Sequence, residues 1–376
     1  MQPEPAPAAP YRFLFPLGAL LGGAGVLPWI FFALGLTEVY RPIFHSLVFR
    51  SMFHPIAEVE GFLTCFAAGF LFAFVPRRTG TRPASRWQIA VAVAAPVAIV
   101  AFTVVEKWVI AQAFWLLLLA VLFEFALRRA ILSRSPLLPG FIWIVVALSM
   151  GACGAVLAGS GAFLGRDWLT LHEIGRGLLL QGLFTGLALG TAGVLVPALA
   201  GGEAVSRGTR WALASHALGA AVFFASFFVG EIVSQQLGFA LRAAVAAFVI
   251  AEPLRATSAP VSPGLRRGMA RLSLLMLPVG NAWVALAPAY RRAGLHVVYL
   301  GCFAALVLAA STQVATARSG PARGRQLALA AGLLALALAA RVLLELDPIN
   351  FKLWLGTASA SFSMAMIPWA ALTRRH

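Results

Sequence analysis

Charge is scarce in this chain of 376 residues: 11% are Asp, Glu, Lys or Arg, against 61% hydrophobic. A soluble fold needs polar surface over its core, so this composition excludes an ordinary globular protein and leaves lipid as the solvent. Acidic residues are rarer still, 13 against 29 basic ones, for a net charge of +16. No connection is long enough to fold as a binding domain and no basic run is interleaved with aromatics, so the excess is not a nucleic-acid footprint. Only three cysteines occur, Cys65, Cys153 and Cys302, each within an apolar run. No pair has metal-ligand or redox spacing, which excludes a disulfide framework or zinc knuckle and leaves small apolar packing residues. The opening MQPEPAPAAP lacks the basic region of a signal peptide. The apolar run behind it is too long for a signal core, so it reads as an uncleaved anchor.

What the chain does have is apolar length. A bilayer crossing takes roughly 20 apolar residues, and the sequence predicts twelve helices, near 13–36, 55–76, 88–105, 108–127, 137–159, 170–198, 210–229, 233–252, 268–288, 294–316, 325–346 and 351–371. Only Glu106 and Lys107 separate the third from the fourth. The expected fold is therefore all-α and polytopic, with one membrane domain over 13–371 between a disordered tail, 1–12, and a short tail, 372–376. Basic residues alternate by side. Arg77, Arg78, Arg82 and Arg86, then Arg128, Arg129 and Arg134, then Arg266, Arg267 and Arg271 fall in even-numbered connections, whereas Glu38, Glu106, Asp167, Glu231 and Asp347 lie at the opposite ends. By the positive-inside rule both termini are cytoplasmic.

Three helices, the second, sixth and tenth, begin with a histidine: His54, His172 and His296, 118 and 124 residues apart. The helix count puts all three at the outer side. Each interval is about four spans, which predicts three four-helix units in pseudo-threefold arrangement. Residues 61–76, GFLTCFAAGFLFAFVP, also align without a gap on 182–197, GLFTGLALGTAGVLVP. Gly182, Gly186 and Gly190 recur every four residues, a stripe that lets another helix approach closely.

The outer ends carry the polar chemistry. His54 precedes Pro55, a favoured first helical residue, and Glu58 lies one turn on, so imidazole and carboxylate share a face. That pair suits metal binding or proton relay, and equally a capping histidine beside a solvated glutamate. His172 has Glu173 beside it and Arg176 a turn below. An unpaired guanidinium at that depth is costly, so Arg176 is expected to pair with Glu173, Glu58 or Glu60. His216, near the other end of helix 7, is read as a local residue.

The stretch from His54 to Gly80, HPIAEVEGFLTCFAAGFLFAFVPRRTG, resembles the second helix of the NnrS family, with AGFL and VPxxTG as its specific elements. YRFLFPLGAL in helix 1 is similar to the family's aromatic opening, GLHVVYLG at 294–301 to its HALTVG segment through His296 and Gly301, and the Ala-Arg-Val context of Arg341 to its helix 11. The resemblance implies a haem- and copper-containing membrane protein linked to nitric oxide. It implies a bacterial inner membrane and His54 and His296 as cofactor ligands; the residues at the outer ends themselves suggest His172 and Glu58 as a second metal position, and Arg176, Glu173 and Arg341 in structural ion pairs. The chain departs from the pattern: the family's HAHEM reads HPIAE here, its GRVIP arginine is Val194, and the arginine and histidine expected after His296 are Gln313 and Arg318. The twelve-helix, threefold plan is also similar to haem-copper oxidase subunits, whose paired histidines are absent here.

Two functions follow. In the first, His54, His172 and His296 hold haem or metal near the outer surface for a small gaseous ligand, in nitric oxide metabolism or nitrosative stress. In the second, the chain is a transporter or channel whose polar path for an ionic ligand is lined by Glu58, Glu60, Arg176, Arg242 and Arg341. The sequence assigns neither an enzymatic turnover nor an oligomeric state.

Overall fold

The computed structural model describes residues 9–36, 47–134, 138–164, 168–200, 210–256, 264–316 and 324–374. Most of the expected N-terminal tail, 1–8, lies outside them, as does Arg318. Among the described residues the secondary structure is helical, with no strand. Lipid offers the backbone no hydrogen bonds, so each crossing segment must satisfy its own N–H and C=O groups, as a helix does. The helices are α1 (Tyr11–Ala33), α2 (Met52–Thr79), α3 (Arg86–Val104), α4 (Trp108–Ile131), α5 (Phe141–Leu164), α6 (169–200), α7 (Arg210–Ile232), α8 (Gln235–Ala256), α9 (Leu265–Leu286), α10 (291–316), α11 (Gly324–Leu346) and α12 (Phe351–Arg374). Ten of them are long and apolar enough to cross a membrane, and α6 and α8 are the other two. In α8 the apolar run is diluted by Gln235, Gln236, Arg242 and Glu252. The protein is thus a multi-pass membrane protein whose outer helix faces meet lipid.

The division between α3 and α4 falls where the two charges stand. Glu106 takes φ 56°, a left-handed conformation rare outside glycine, and Lys107 N–H bonds to Phe102 O at 2.8 Å. Further along, Asp347 closes α11 and opens the short turn Pro348–Asn350. Its carboxylate accepts from Asn350 Nδ2 at 2.8 Å and Trp354 Nε1 at 2.9 Å. Those bonds, the Asn350 side chain first, hold its carboxyl below the usual carboxylate range.

Sequence neighbours pack as antiparallel pairs, α3 on α4, α5 on α6, α7 on α8, α9 on α10 and α11 on α12, while α1 packs on both α2 and α12. Inside this ring stand α2, α6 and α10. The α10 helix packs against α2 and α6, and all three line one central cavity with Phe15 of α1. The spans of α2 and α10 are 78% and 67% buried, more than any other span, which marks them as interior.

Small residues set the spacing. A Cβ on Gly186 would lie 2.7 Å from Ala147 Cβ, and one on Gly182 3.1 Å from Met150 Sδ, so the glycine stripe of α6 is the surface on which α5 rests. Gly154 and Gly175 bring α5 and α6 into backbone contact, and Gly280 and Gly294 do the same for α9 and α10.

One regularity has no counterpart in the sequence reading. A π-helical turn interrupts α2 at Ala57–Leu63, α6 at Leu178–Gly182 and α10 at Val297–Ala304, and no other helix among the described residues. The first two begin 121 residues apart, the offset at which 61–76 aligns on 182–197. In α2 the widened turn is closed by Thr64, whose hydroxyl donates to Val59 O, five residues back, at 2.7 Å. π turns occur frequently at functional sites.

Candidate functional site

The three histidines stand ahead of these turns, and a backbone carbonyl holds each of them. His54 Nδ1 lies 3.2 Å from Gly25 O, His172 Nδ1 2.7 Å from Ala158 O, and His296 Nδ1 2.7 Å from Arg292 O. A carbonyl only accepts, so Nδ1 carries the hydrogen in each ring and Nε2 presents a lone pair. For His296 a second bond gives the same answer: Arg341 Nε donates to His296 Nε2 at 3.2 Å, and a guanidinium cannot accept.

His54 and His296 belong together. They lie within electrostatic range of each other, and Arg341 is within range of both. The edge of Trp29 meets the His54 ring at 6.1 Å between centroids, and Tyr299 meets His296 in the same way at 6.0 Å. Arg341 is shared between His296 and Glu345, whose Oε1 is 3.1 Å from its terminal nitrogen. Glu58 sits 4.0 Å from His54 Nδ1, too far for a hydrogen bond, and its Oε1 is buried without a hydrogen-bond partner among the described residues. That oxygen presses on Gly25, where a Cβ would collide with it and would also lie 3.0 Å from Ala57 Cβ. Only glycine lets α1 come close enough to offer its carbonyl to His54.

The remaining site residues have other partners. No contact among the described residues joins His172 to His54, His296 or Glu58. Arg176 pairs with Glu173 of its own helix at 3.0 Å. Glu60 is buried in α2, where both its oxygens accept from Gln112 Nε2 of α4, at 2.9 and 3.0 Å. Arg242 of α8 donates to Gln181 Oε1 at 3.1 Å and to Ser226 Oγ at 3.2 Å. Tyr299 has Gln181, Arg176, Arg242 and Arg291 within electrostatic range. The five residues of the expected polar path thus fall into separate groups: Glu58 and Arg341 beside the histidines, Arg176 and Arg242 near Tyr299, Glu60 with Gln112. At the opposite end His216 Nδ1 accepts from Trp143 Nε1 at 3.0 Å.

The offset of 121 places Glu60 opposite Gln181. Both lie in a π turn, and both accept from the fourth helix of their run, α4 and α8. The same offset places His54 opposite Gly175, not His172, so His172 stands about one turn further out. This accounts for its separation from the other two.

A haem held between two imidazoles needs two Nε2 lone pairs, each on a ring fixed through Nδ1. His54 meets that need: its Nε2 forms no hydrogen bond among the described residues. His296 would meet it only when Arg341, which bonds Glu345 as well, releases its Nε2. A copper cage is a different matter, because no group of three or more His, Cys, Asp or Glu side chains gathers at metal-binding distance among the described residues. Sequence reasoning missed Gln112, Gln181, Tyr299 and Glu345. Isolated glutamines within apolar runs were the available signal.

The family model described as NnrS protein matches residues 5–375, nearly the whole chain. No curated protein matches.

Proposed function

The chain belongs to the NnrS family, and on that premise we propose that it binds haem in the bacterial inner membrane and acts in nitric oxide metabolism or the response to nitrosative stress. The observation that carries this reading is the pair His54 and His296, within electrostatic range of one another and each with Nδ1 tied to a carbonyl, so that Nε2 is the nitrogen that would ligate. Bound haem would supply one-electron chemistry. The protein's own part is positional. Gly25 O and Arg292 O fix the two rings. Arg341 donates Nε–H to His296 Nε2 while its terminal nitrogen holds Glu345, one turn away on the same helix, so it must release His296 for that nitrogen to bind haem. Trp29 and Tyr299 flank the rings and shed water. Copper, the other metal that the resemblance implies, is given no part, since His172 and Glu58 share no contact.

Around this site we read residues 13–371 as one domain of three four-helix units, with the π turns of α2, α6 and α10 as the equivalent points. The arginine-rich connections favour both termini in the cytoplasm. Reporter fusions after Arg134 and Arg267 are expected to read cytoplasm, and fusions at Asp167 and Arg291 periplasm. The reverse pattern would overturn the orientation.

Protein purified from haem-replete cells is expected to show a Soret band that shifts on reduction. His54→Ala or His296→Ala should abolish it, because either change would remove one of the two imidazoles that would hold the haem in the protein. Arg341→Ala should retain it, since that change frees Nε2. Absence of Soret absorbance from the wild-type protein sinks the haem assignment. The transport reading, with Glu58, Glu60, Arg176, Arg242 and Arg341 along a polar path, has no observation comparable to the histidine pair.

A further inference from the structure

Charge gathers at a second place, apart from His54 and His296, between α6, α8 and the start of α10. Three guanidiniums, those of Arg176, Arg242 and Arg291, come within electrostatic range of Tyr299. Arg242 and Arg291 share the ring of Phe239, at 4.3 and 5.7 Å from its centroid. The three descend from surface to interior. The side chains of Arg176 and Arg291 are 47% and 35% exposed, whereas Arg242 is 3% exposed and stands ~10 Å along α8 from its first residue, Gln235. Glu173 holds Arg176 at 3.0 Å and Glu231 holds Arg291 at 3.8 Å. The two carboxylates thus answer the two outer cations, and the positive charge of Arg242 is left over among the described residues.

Arg242 also has donors to spare. A guanidinium carries five N–H groups. Here Nε donates to Ser226 Oγ, Nη1 to Gln181 Oε1 and Nη2 to Ser226 O, one hydrogen each. The other two find no acceptor among the described residues. A charged side chain at this depth is costly unless paired, and such residues mark ion sites in membrane proteins. From the surplus charge and the spare donors we infer that this cluster binds a small, singly charged oxyanion, with Arg242 as its floor and Arg176 and Arg291 at its mouth. The planar fork of a guanidinium matches two oxygens of one anion, which a halide does not offer. A divalent anion costs more to desolvate, and the cluster has one charge to set against it. A free ion such as nitrate or formate and the phosphodiester of a lipid headgroup share this chemistry, and the experiment separates the two sources.

The full chain, stripped of lipid in maltoside detergent, is melted across a titration of sodium nitrate and, at matched ionic strength, of sodium sulfate. A ligand of the native state raises the melting temperature with its concentration. Nitrate is expected to raise it saturably, and sulfate only at much higher concentration. Arg242→Met, which keeps much of the volume, should abolish the nitrate effect. Arg291→Gln, at a half-exposed position, should weaken it severalfold even if Arg242→Met fails to fold. Lys352→Gln, an exposed charge at the same end of the molecule, should leave it unchanged. Phospholipid phosphorus that survives stripping in stoichiometric amount, and is lost from folded Arg242→Met, identifies a headgroup as the anion. A saturable nitrate effect without such phosphorus identifies the free ion. The proposal is overturned if neither anion binds, if nitrate acts equally on folded Arg242→Met or on Arg291→Gln, or if sulfate binds more tightly than nitrate. The Soret band of the same samples reports on the histidine site separately, so either reading can fail alone.

Discussion

Deleting Ala57 from α2 is expected to cost more than about 4 kcal/mol of stability, the range reached only when a packed or hydrogen-bonded network is broken. The π turn Ala57–Leu63 accommodates one residue beyond α-helical geometry. Removing that residue restores an α-helix and turns everything on its N-terminal side by roughly 100° relative to the rest. His54 then leaves Gly25 O, and Phe53, which is buried, is turned out of its contacts with Val100, Val104 and Trp108. Hydropathy is untouched, so the chain should still insert. Melting of purified protein in detergent measures the effect. A variant that melts with the wild type would show that the π turn does not set the register between the histidine and the core.

The second large effect concerns Arg242, which is 3% exposed and carries its charge among dipoles and rings. Its guanidinium lies over Phe227 at 3.9 Å and Phe239 at 4.3 Å, and it bonds to Ser226 and Gln181. No carboxylate stands at ion-pair distance among the described residues, since Glu231 is taken by Arg291 at 3.8 Å. Gln181→Leu removes an acceptor from a charge that has nowhere to turn and is expected to destabilise by about 3 kcal/mol. Arg242→Met removes the charge itself while keeping much of the volume, and such exchanges are often neutral or stabilising. The expected order in thermal melting is therefore wild type and Arg242→Met close together, with Gln181→Leu well below. An inverted order would mean that the Gln181 bond is dispensable and that the charge is what the fold depends on.

Much of the architecture was legible because lipid imposes it. Runs of about 20 apolar residues, the charges Glu106 and Lys107, and the spacing of Gly182, Gly186 and Gly190 each state a local requirement, and α3, α4 and the α5 contact follow from them. Sites were less legible because their partners lie far apart in the chain. Arg341 meets His296 across 45 residues and Arg242 meets Gln181 across 61, and nothing local at either position names its partner. The π turns left no trace in composition, since a five-residue step depends on what packs around the helix and not on which residues form it. His172 shows how spacing misleads. It shares the start of an inner helix with His54 and His296, yet the repeat offset puts it one turn out of phase.

The contact between α1 and α12 bears on how the chain is made. Ser363 Oγ donates to Gly23 O at 3.3 Å across 340 residues of sequence, and Trp369 lies against Phe66 in the wall that α1 also covers. On the ribosome α1 therefore waits for α12. Until then the face of α1 that carries Gly23 is turned to lipid, and the ring has a gap. A chain that ends before α12 is accordingly not a shorter version of this protein but an open one, left in the state that membrane quality control recognises as unfinished.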